Sequence, residues 1–275
     1  MAFDELVELW KRERNGAVAI ASGAGQSQTK GADQLSKLQT PEPAKSVEAI
    51  MARNFLGAEA WKKLGVIIDE PLPPIPKWIT PQYLSSPCPL HKGLEIRHSH
   101  ILVLVPKNIQ GQPFTALALE QLCHSKQTER MPLVVGEGDV ATLHSENQWI
   151  QQSSDQSYWV LMAKSDPVSG IVPAEKTFKG KSIADMHQVC RRYYPEYAHG
   201  SALEMMTGIL LNAVVNGERL YRDVLALCRD KTDDGEHVSV GHFYGPEDGI
   251  EYSGLAVIRQ DTKPSPNESY ALVRV

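Results

Sequence analysis

Residues 85–100, SSPCPLHKGLEIRHSH, hold one of the chain's four cysteines and three of its nine histidines. Thiolate and imidazole are the ligands that zinc prefers, so this stretch is the first place to look for chemistry. Read as one strand over 94–104, it puts Leu94, Ile96, His98, His100, Leu102 and Leu104 on one face. Histidines two apart on a strand are about 7 Å apart, close enough to share a metal when both rings turn inward. Cys88 and His91, a Cys-x-x-His just upstream, are the nearest further ligands, with Cys123-His124 and His187 with Cys190 beyond them. The candidate metal set is therefore Cys88, His91, His98 and His100, with zinc as the metal and a metal-dependent hydrolase as the matching activity.

The spacing completes only half of a zinc signature, which needs two ligand pairs. Lys92-Gly93 directly after His91 reads as a surface turn, and Cys190 falls on the apolar side of its helix, where a thiol acts as a small hydrophobe. A structural or exposed role without a cofactor is the leading reading. Other motifs are incomplete. GAGQSQTKG lacks the glycine before Lys30 that a phosphate loop requires, and His144-Ser-Glu146 lacks the Pro-Cys-x-x-Cys of a deaminase. There is no Gly-x-Ser-x-Gly elbow, no Gly-x-Gly-x-x-Gly fingerprint and no His-Glu-x-x-His. No catalytic residue is assigned, and the balance leans away from an enzyme.

The elements that must position these residues come next. Residues 2–14 read as an amphipathic helix with Phe3, Leu6, Val7 and Trp10 as its stripe, and 22–46 is a small, polar linker. Ser46 caps a helix that runs through Val47, Ile50, Met51, Phe55 and Leu56 to a stop at Gly65. The proline-rich stretch 71–89 is an extended strap anchored by Trp78 and Tyr83. The expected organisation is an arm and linker over 1–45, a helix and strap over 46–89, and a globular domain over 90–275. In that domain LEIRHSHILVLVPK, MPLVV and SYWVLMAK read as strands, ALALEQLCHS as a short helix, and KSIADMHQVCRRYY and SALEMMTGILLNAVVNGERLY as longer ones. HVSVGHFY and IEYSGLAVIR flank a Gly-Pro-Glu-Asp-Gly turn, a hairpin pattern, and SYALVRV ends the chain as a strand. The fold class is α+β, helices packed on a largely antiparallel sheet.

Composition removes some classes of function. The net charge of −5 and the lack of a basic stripe argue against nucleic acid. No apolar run is long enough to span a bilayer, and the acidic N-terminus lacks the order of a signal peptide. Four scattered cysteines fit a reducing cytoplasm better than a disulfide framework, although export by a specialised machine needs no cleavable signal.

The stretch 235–260, GEHVSVGHFYGPEDGIEYSGLAVIRQ, is dense in side chains suited to contact between core strands. His242, Tyr244, Glu247, Asp248, Glu251 and Tyr252 form its candidate ligand-binding set, rigid aromatics beside directional acceptors. WVLMAKSDPVSG, KTFKGKSIADMHQV, SALEMMTGILLNAVVNGERLY, VSVGHF and GLAVIR resemble, in that order, uncharacterised bacterial paralogous proteins. Their C-terminal half is similar to the C-type-lectin-like fold, in which C-terminal loops carry ligand contacts. The resemblance implies the same six residues as the contact set. The Gly-Gly-Ser-Trp segment of the formylglycine-generating branch is absent, so that activity is not implied.

Together these readings point to a non-enzymatic binding protein presenting its C-terminal loop. The arm, through Phe3, Leu6, Val7 and Trp10, would dock on a protein partner, on a second copy or on its own domain. The alternatives are the His-x-His hydrolase and a structural or assembly subunit.

Overall fold

The computed structural model describes residues 46–68, 71–125, 134–135, 148–165, 176, 178, 180–244, 254–260 and 268–274. The expected arm with Phe3, Leu6, Val7 and Trp10 lies outside them, as do Glu247, Asp248, Glu251 and Tyr252. In chain order the first elements are α1 (Val47–Met51), β1 (Phe55–Leu56), α2 (Ala58–Lys63), α3 (Pro81–Leu84), α4 (Ile96–Ser99), β2 (His100–Val105), β3 (Asn108–Ile109) and β4 (Gln112–Pro113). Then come α5 (Ala116–Ser125), β5 (Val134–Val135), β6 (Tyr158–Ala163), α6 (Ile183–Tyr193), β7 (Ala198–His199) and α7 (Ala202–Asn216). The last are β8 (Leu225–Lys231), β9 (His237–Tyr244), β10 (Gly254–Gln260), β11 (Glu268–Tyr270) and β12 (Leu272–Arg274).

The larger strands form two five-stranded sheets, ordered β1-β2-β6-β12-β7 and β11-β8-β9-β10-β5. Among the described residues antiparallel pairings dominate, and β1–β2, β5–β10 and β8–β11 run parallel. The class is α+β with antiparallel-rich sheets. Among the described residues no helix is long and apolar enough to cross a membrane.

Helix α7 is the central post. Its sequence, ALEMMTGILLNAVVN, is apolar nearly all round, and it packs against β2 and β6 of one sheet and β8 and β9 of the other. At Gly208 it comes so close to β6 that an added Cβ would sit 2.8 Å from the Met162 sulfur. Gly217 ends the helix in the left-handed conformation, φ 68°, its N–H donating to the Ala213 carbonyl.

One residue carries the chain between sheets. β11 belongs to the second sheet and β12 to the first, and Ala271 lies between them. Its N–H donates to the Leu227 carbonyl at 2.9 Å, and its carbonyl accepts from Gly200 N at 2.9 Å. The Gly200 carbonyl in turn accepts from Arg229 N, also at 2.9 Å. A Cβ at Gly200 would meet Val273 Cγ1 at 2.8 Å, so the crossing is close-packed as well as hydrogen-bonded.

The strap expected to be extended over 71–89 is so only in part: Pro81–Leu84 form α3, capped by the Thr80 hydroxyl with Pro81 at the first helical position, where its missing N–H costs nothing. Its aromatics are anchors, as expected. The Arg274 guanidinium lies 4.1 Å from the Trp78 ring centre and 4.7 Å from that of Tyr83. Arg274 also donates to Tyr83 Oη at 2.8 Å and to Glu196 at 2.5 Å. Trp159 Nε1 donates to the Pro73 carbonyl at 2.9 Å. Segment 46–89 therefore packs into the same unit as 90–275, which spans Ala44–Val275.

Three further local expectations are corrected. The helix after Ser46 does not run to Gly65: Ala52 turns to φ 48° and Phe55–Leu56 pairs with Leu102–Val103 of β2. Pairing that buries Leu56 completely outweighs the helical spacing. The strand expected over 94–104 starts only at His100, because 96–99 form a helical turn in which the Ser99 hydroxyl donates to the Glu95 carbonyl at 3.1 Å. The helix expected over 201–221 stops at Asn216, because Gly217 takes the left-handed conformation, and the chain goes on into β8, a strand whose LALCRDK shows no alternation.

Candidate functional site

The four cysteines are free and buried. Burial pushes the Cys123 thiol up to about 12 and Cys190 up to about 11, and holds Cys228 well above the usual thiol range. Such thiols are packing groups, not nucleophiles. Cys88, the expected fourth metal residue, is among these buried thiols.

The three histidines of the opening cluster go separate ways. His100, fully buried, hydrogen-bonds Ser99 Oγ through Nδ1 and Tyr197 Oη through Nε2, both at 2.9 Å. Burial lowers its pKa to about 3, so the ring is neutral. His98, on α4, is exposed and stands 3.9 Å from Glu95. His91 and His98 line a cavity of about 310 Å³ that also takes in the Lys164–Glu218 ion pair (3.4 Å). His91 is buried, its Nε2 has no hydrogen-bond partner, and burial lowers its pKa. Among the described residues no group of three His, Cys, Asp or Glu side chains is disposed to hold a metal.

Of the C-terminal contact set, His242 sits in β9 with φ 44°, its N–H donating to the Val224 carbonyl at 3.2 Å. Tyr244 is opposite Gly254 where β9 and β10 close their hairpin, and its side chain is outside the described residues.

A further cavity lies at the start of α7 and has a volume of about 680 Å³. The helix begins with a capping box: Ser201 Oγ accepts from Glu204 N at 3.2 Å, and Glu204 Oε2 accepts from Ser201 N at 2.6 Å. Asp230 Oδ2, from β8, accepts from Ala202 N at 2.5 Å. Two carboxylates therefore satisfy donors of the first turn and favour the positive end of the helix dipole. Glu204 Oε1 accepts from Tyr158 Oη at 3.0 Å and from the Arg229 guanidinium at 3.4 Å. The Glu204 side chain is 1% exposed and that of Arg229 is 50% exposed, so the cation is the member that faces the cavity.

Electrostatics follow from burial. Burial and the Glu204 charge raise the Tyr158 pKa far above the usual phenol range, which keeps its hydroxyl a donor. Burial also raises Asp230, with the Ala202 N–H and the Arg229 charge pulling the other way. The walls are Pro73, Pro74 and Pro76 of the strap, the indoles of Trp149 and Trp159, and the polar run 152–157 with its glutamines and serines.

Tyr158, Glu204, Arg229 and Asp230 were not singled out from the sequence. The Ser201-x-x-Glu204 capping box was the one local signal; the other partners come from β6 and β8. No family model, curated protein or solved structure matches the chain.

Proposed function

We propose that the chain is a ligand-binding protein and that the cavity at the start of α7 takes a small, neutral, polar ligand of polyol or saccharide type. One observation carries this reading: the cavity's charges are already engaged with one another. Glu204 uses one oxygen on Ser201 N and the other on Tyr158 and Arg229, and Asp230 is bonded to Ala202 N. A carboxylate so engaged is poorly placed to take a proton from a substrate. What faces the cavity is half of a guanidinium, a row of amides and hydroxyls, and indole and proline surface. That mix of apolar wall and convergent uncharged polar groups suits a ligand without formal charge.

The test uses tryptophan fluorescence, since Trp149 and Trp159 line the cavity. The protein is titrated with neutral mono- and disaccharides and with their carboxylated and amino counterparts. Saturable binding of a neutral sugar, lost when Leu203→Trp fills the cavity, is the expected result. Turnover of the sugar, or binding that survives the filled cavity, overturns it.

A second reading keeps the C-terminal loop. β9 and β10 pair from Tyr244–Gly254 back to His237–Gln260, so 245–253 springs from two hydrogen-bonded strands. That scaffold supports presentation of His242, Tyr244, Glu247, Asp248, Glu251 and Tyr252 to a protein partner. Under this reading, a Tyr244→Ala, Tyr252→Ala variant folds normally and loses the partner.

A further inference from the structure

A second charged region also borders β8, and nothing above uses it. His187 of α6, His199 of β7 and His237 of β9 cluster around Tyr270 of β11. The His187 and His199 rings are 5.2 Å apart, His199 and His237 6.4 Å, and Tyr270 stacks on His199 at 4.1 Å. Backbone carbonyls set two tautomers: His199 Nε2–H donates to the Leu227 carbonyl at 2.8 Å and His237 Nδ1–H to that of Cys228 at 3.3 Å. Each neutral ring is left with one nitrogen able to accept a proton. His187 Nδ1 is 2.6 Å from Tyr270 Oη, whose hydroxyl burial keeps protonated.

Among the described residues the charged side chains that act on this cluster are cations: Arg191 and Lys231 on His187, Arg229 on His199 and Lys231 on His237. Asp185, the acid of α6, is bonded to Ser182, and Asp230 of β8 to Ala202. Lys176, Arg191, Arg192 and Lys231 have no carboxylate partner among the described residues. Lys176 and Arg192 both lie over the Tyr193 ring, at 5.5 and 5.3 Å. Arginines in a last helical turn favour the helix dipole, which accounts for two of these cations but not for the histidines or Lys231. In a chain of net charge −5, so many unpaired cations around three imidazoles is the footprint of an anion site.

A concavity of about 490 Å³ opens on this face, lined by Ala184, His187, Gln188, Arg191 and Arg192. We propose that it binds a phosphate-type dianion carried by a small molecule, gripped by Arg191 and Arg192 with His187 beneath. Guanidinium groups match the oxygens of such an anion in pairs. The anion in turn favours protonated imidazoles, so binding takes up protons and tightens as pH falls.

The experiment is calorimetric titration of the full chain with inorganic phosphate, glycerol 3-phosphate and sulfate at pH 6 and pH 8. Sulfate does not titrate in this range, so its pH dependence reports the histidines alone. Expected are sulfate binding about tenfold tighter at pH 6 than at pH 8, a reduced pH dependence in His187→Gln, and at least about tenfold weaker binding in the exposed-site variant R191A/R192A at unchanged Tm. Lys231→Ala serves as an independent, weaker variant. Glycerol 3-phosphate binding tighter than phosphate assigns the site to an organic ester; equal affinities assign it to the free anion. No binding at pH 6 up to about 10 mM, sulfate affinity equal at both pH values, or affinity unmoved by R191A/R192A overturns the proposal.

Discussion

The carboxylate cavity at the start of α7 and the histidine cluster around Tyr270 both border β8, and they treat charge in opposite ways. In the cavity every buried charge meets a counterpart: Glu204 with Arg229 and Ser201 N, Asp230 with Ala202 N. In the cluster His199 meets His187 and His237, a phenol and a backbone carbonyl, and the cations Arg191, Arg229 and Lys231 act on the three rings. A buried acid can be held by N–H groups that a helix terminus must satisfy anyway, so the fold itself supplies the partners. A buried imidazole escapes the problem by staying neutral, and so remains responsive to pH and to anions.

The contrast can be broken most forcefully at Glu204. Glu204→Ala leaves Tyr158 Oη and Ser201 N without their acceptor, while the half-exposed Arg229 is left to solvent, and a loss of about 2–3 kcal/mol in urea unfolding is expected. Glu204→Gln, which keeps the shape and an acceptor, should cost clearly less. Equal losses would mean that charge has no part in the cap.

The histidine side is probed by acid. His199 has its pKa lowered to about 3, by burial first, against an unfolded value near 6.5. A depressed pKa means that the unfolded chain takes up the proton more readily. The stabilising contribution is therefore complete above about pH 6.5 and is lost as pH falls towards 3. His199→Gln should flatten the stability-against-pH curve between pH 6.5 and 4 by up to about 3 kcal/mol. His100, also lowered to about 3, should leave a residual slope in that variant. An unchanged curve would show that the ring is already open to water.

The smallest effect sharpens the comparison. Tyr158→Phe removes one donor to Glu204 while Arg229 and Ser201 N remain, for an expected cost of about 1 kcal/mol. Saccharide affinity should fall more visibly than stability does, since the cavity wall changes where the ligand would lie. A loss as large as that of Glu204→Ala would make Tyr158 the keystone of the cap.

Much of the fold was legible because its signals are local. Ser46 reads as a cap and does accept a bond from the first helical turn; Ser182 and Ser201 do the same for α6 and α7, whereas the expected run of α7 to Tyr221 is cut short by Gly217. The β9–β10 hairpin follows from its turn residues and alternating strands. What was illegible depends on partners distant in the chain. His98 and His100 alternate on paper, but the Ser99 hydroxyl ties the 95–99 turn and only His100 enters the sheet. Strand β8 has four consecutive buried residues, Leu225 to Cys228, with α7 packed against it and β9 and β11 paired to its two edges. The cavity was invisible for the same reason: Tyr158 and Glu204 are 46 positions apart, Glu204 and Arg229 25.

The Arg274 clamp also bears on when the strap is secured. Its bond to Tyr83 spans 191 positions, among the longest separations in the fold. Closing so wide a loop is entropically unfavourable until most other contacts exist. The Trp78–Tyr83 end of the strap is thus expected to lock late, after the shorter Trp159–Pro73 link, which spans 86 positions. A nascent chain would hold its strap at the Trp159 end first, and the other end would be held down only once β12 was in place.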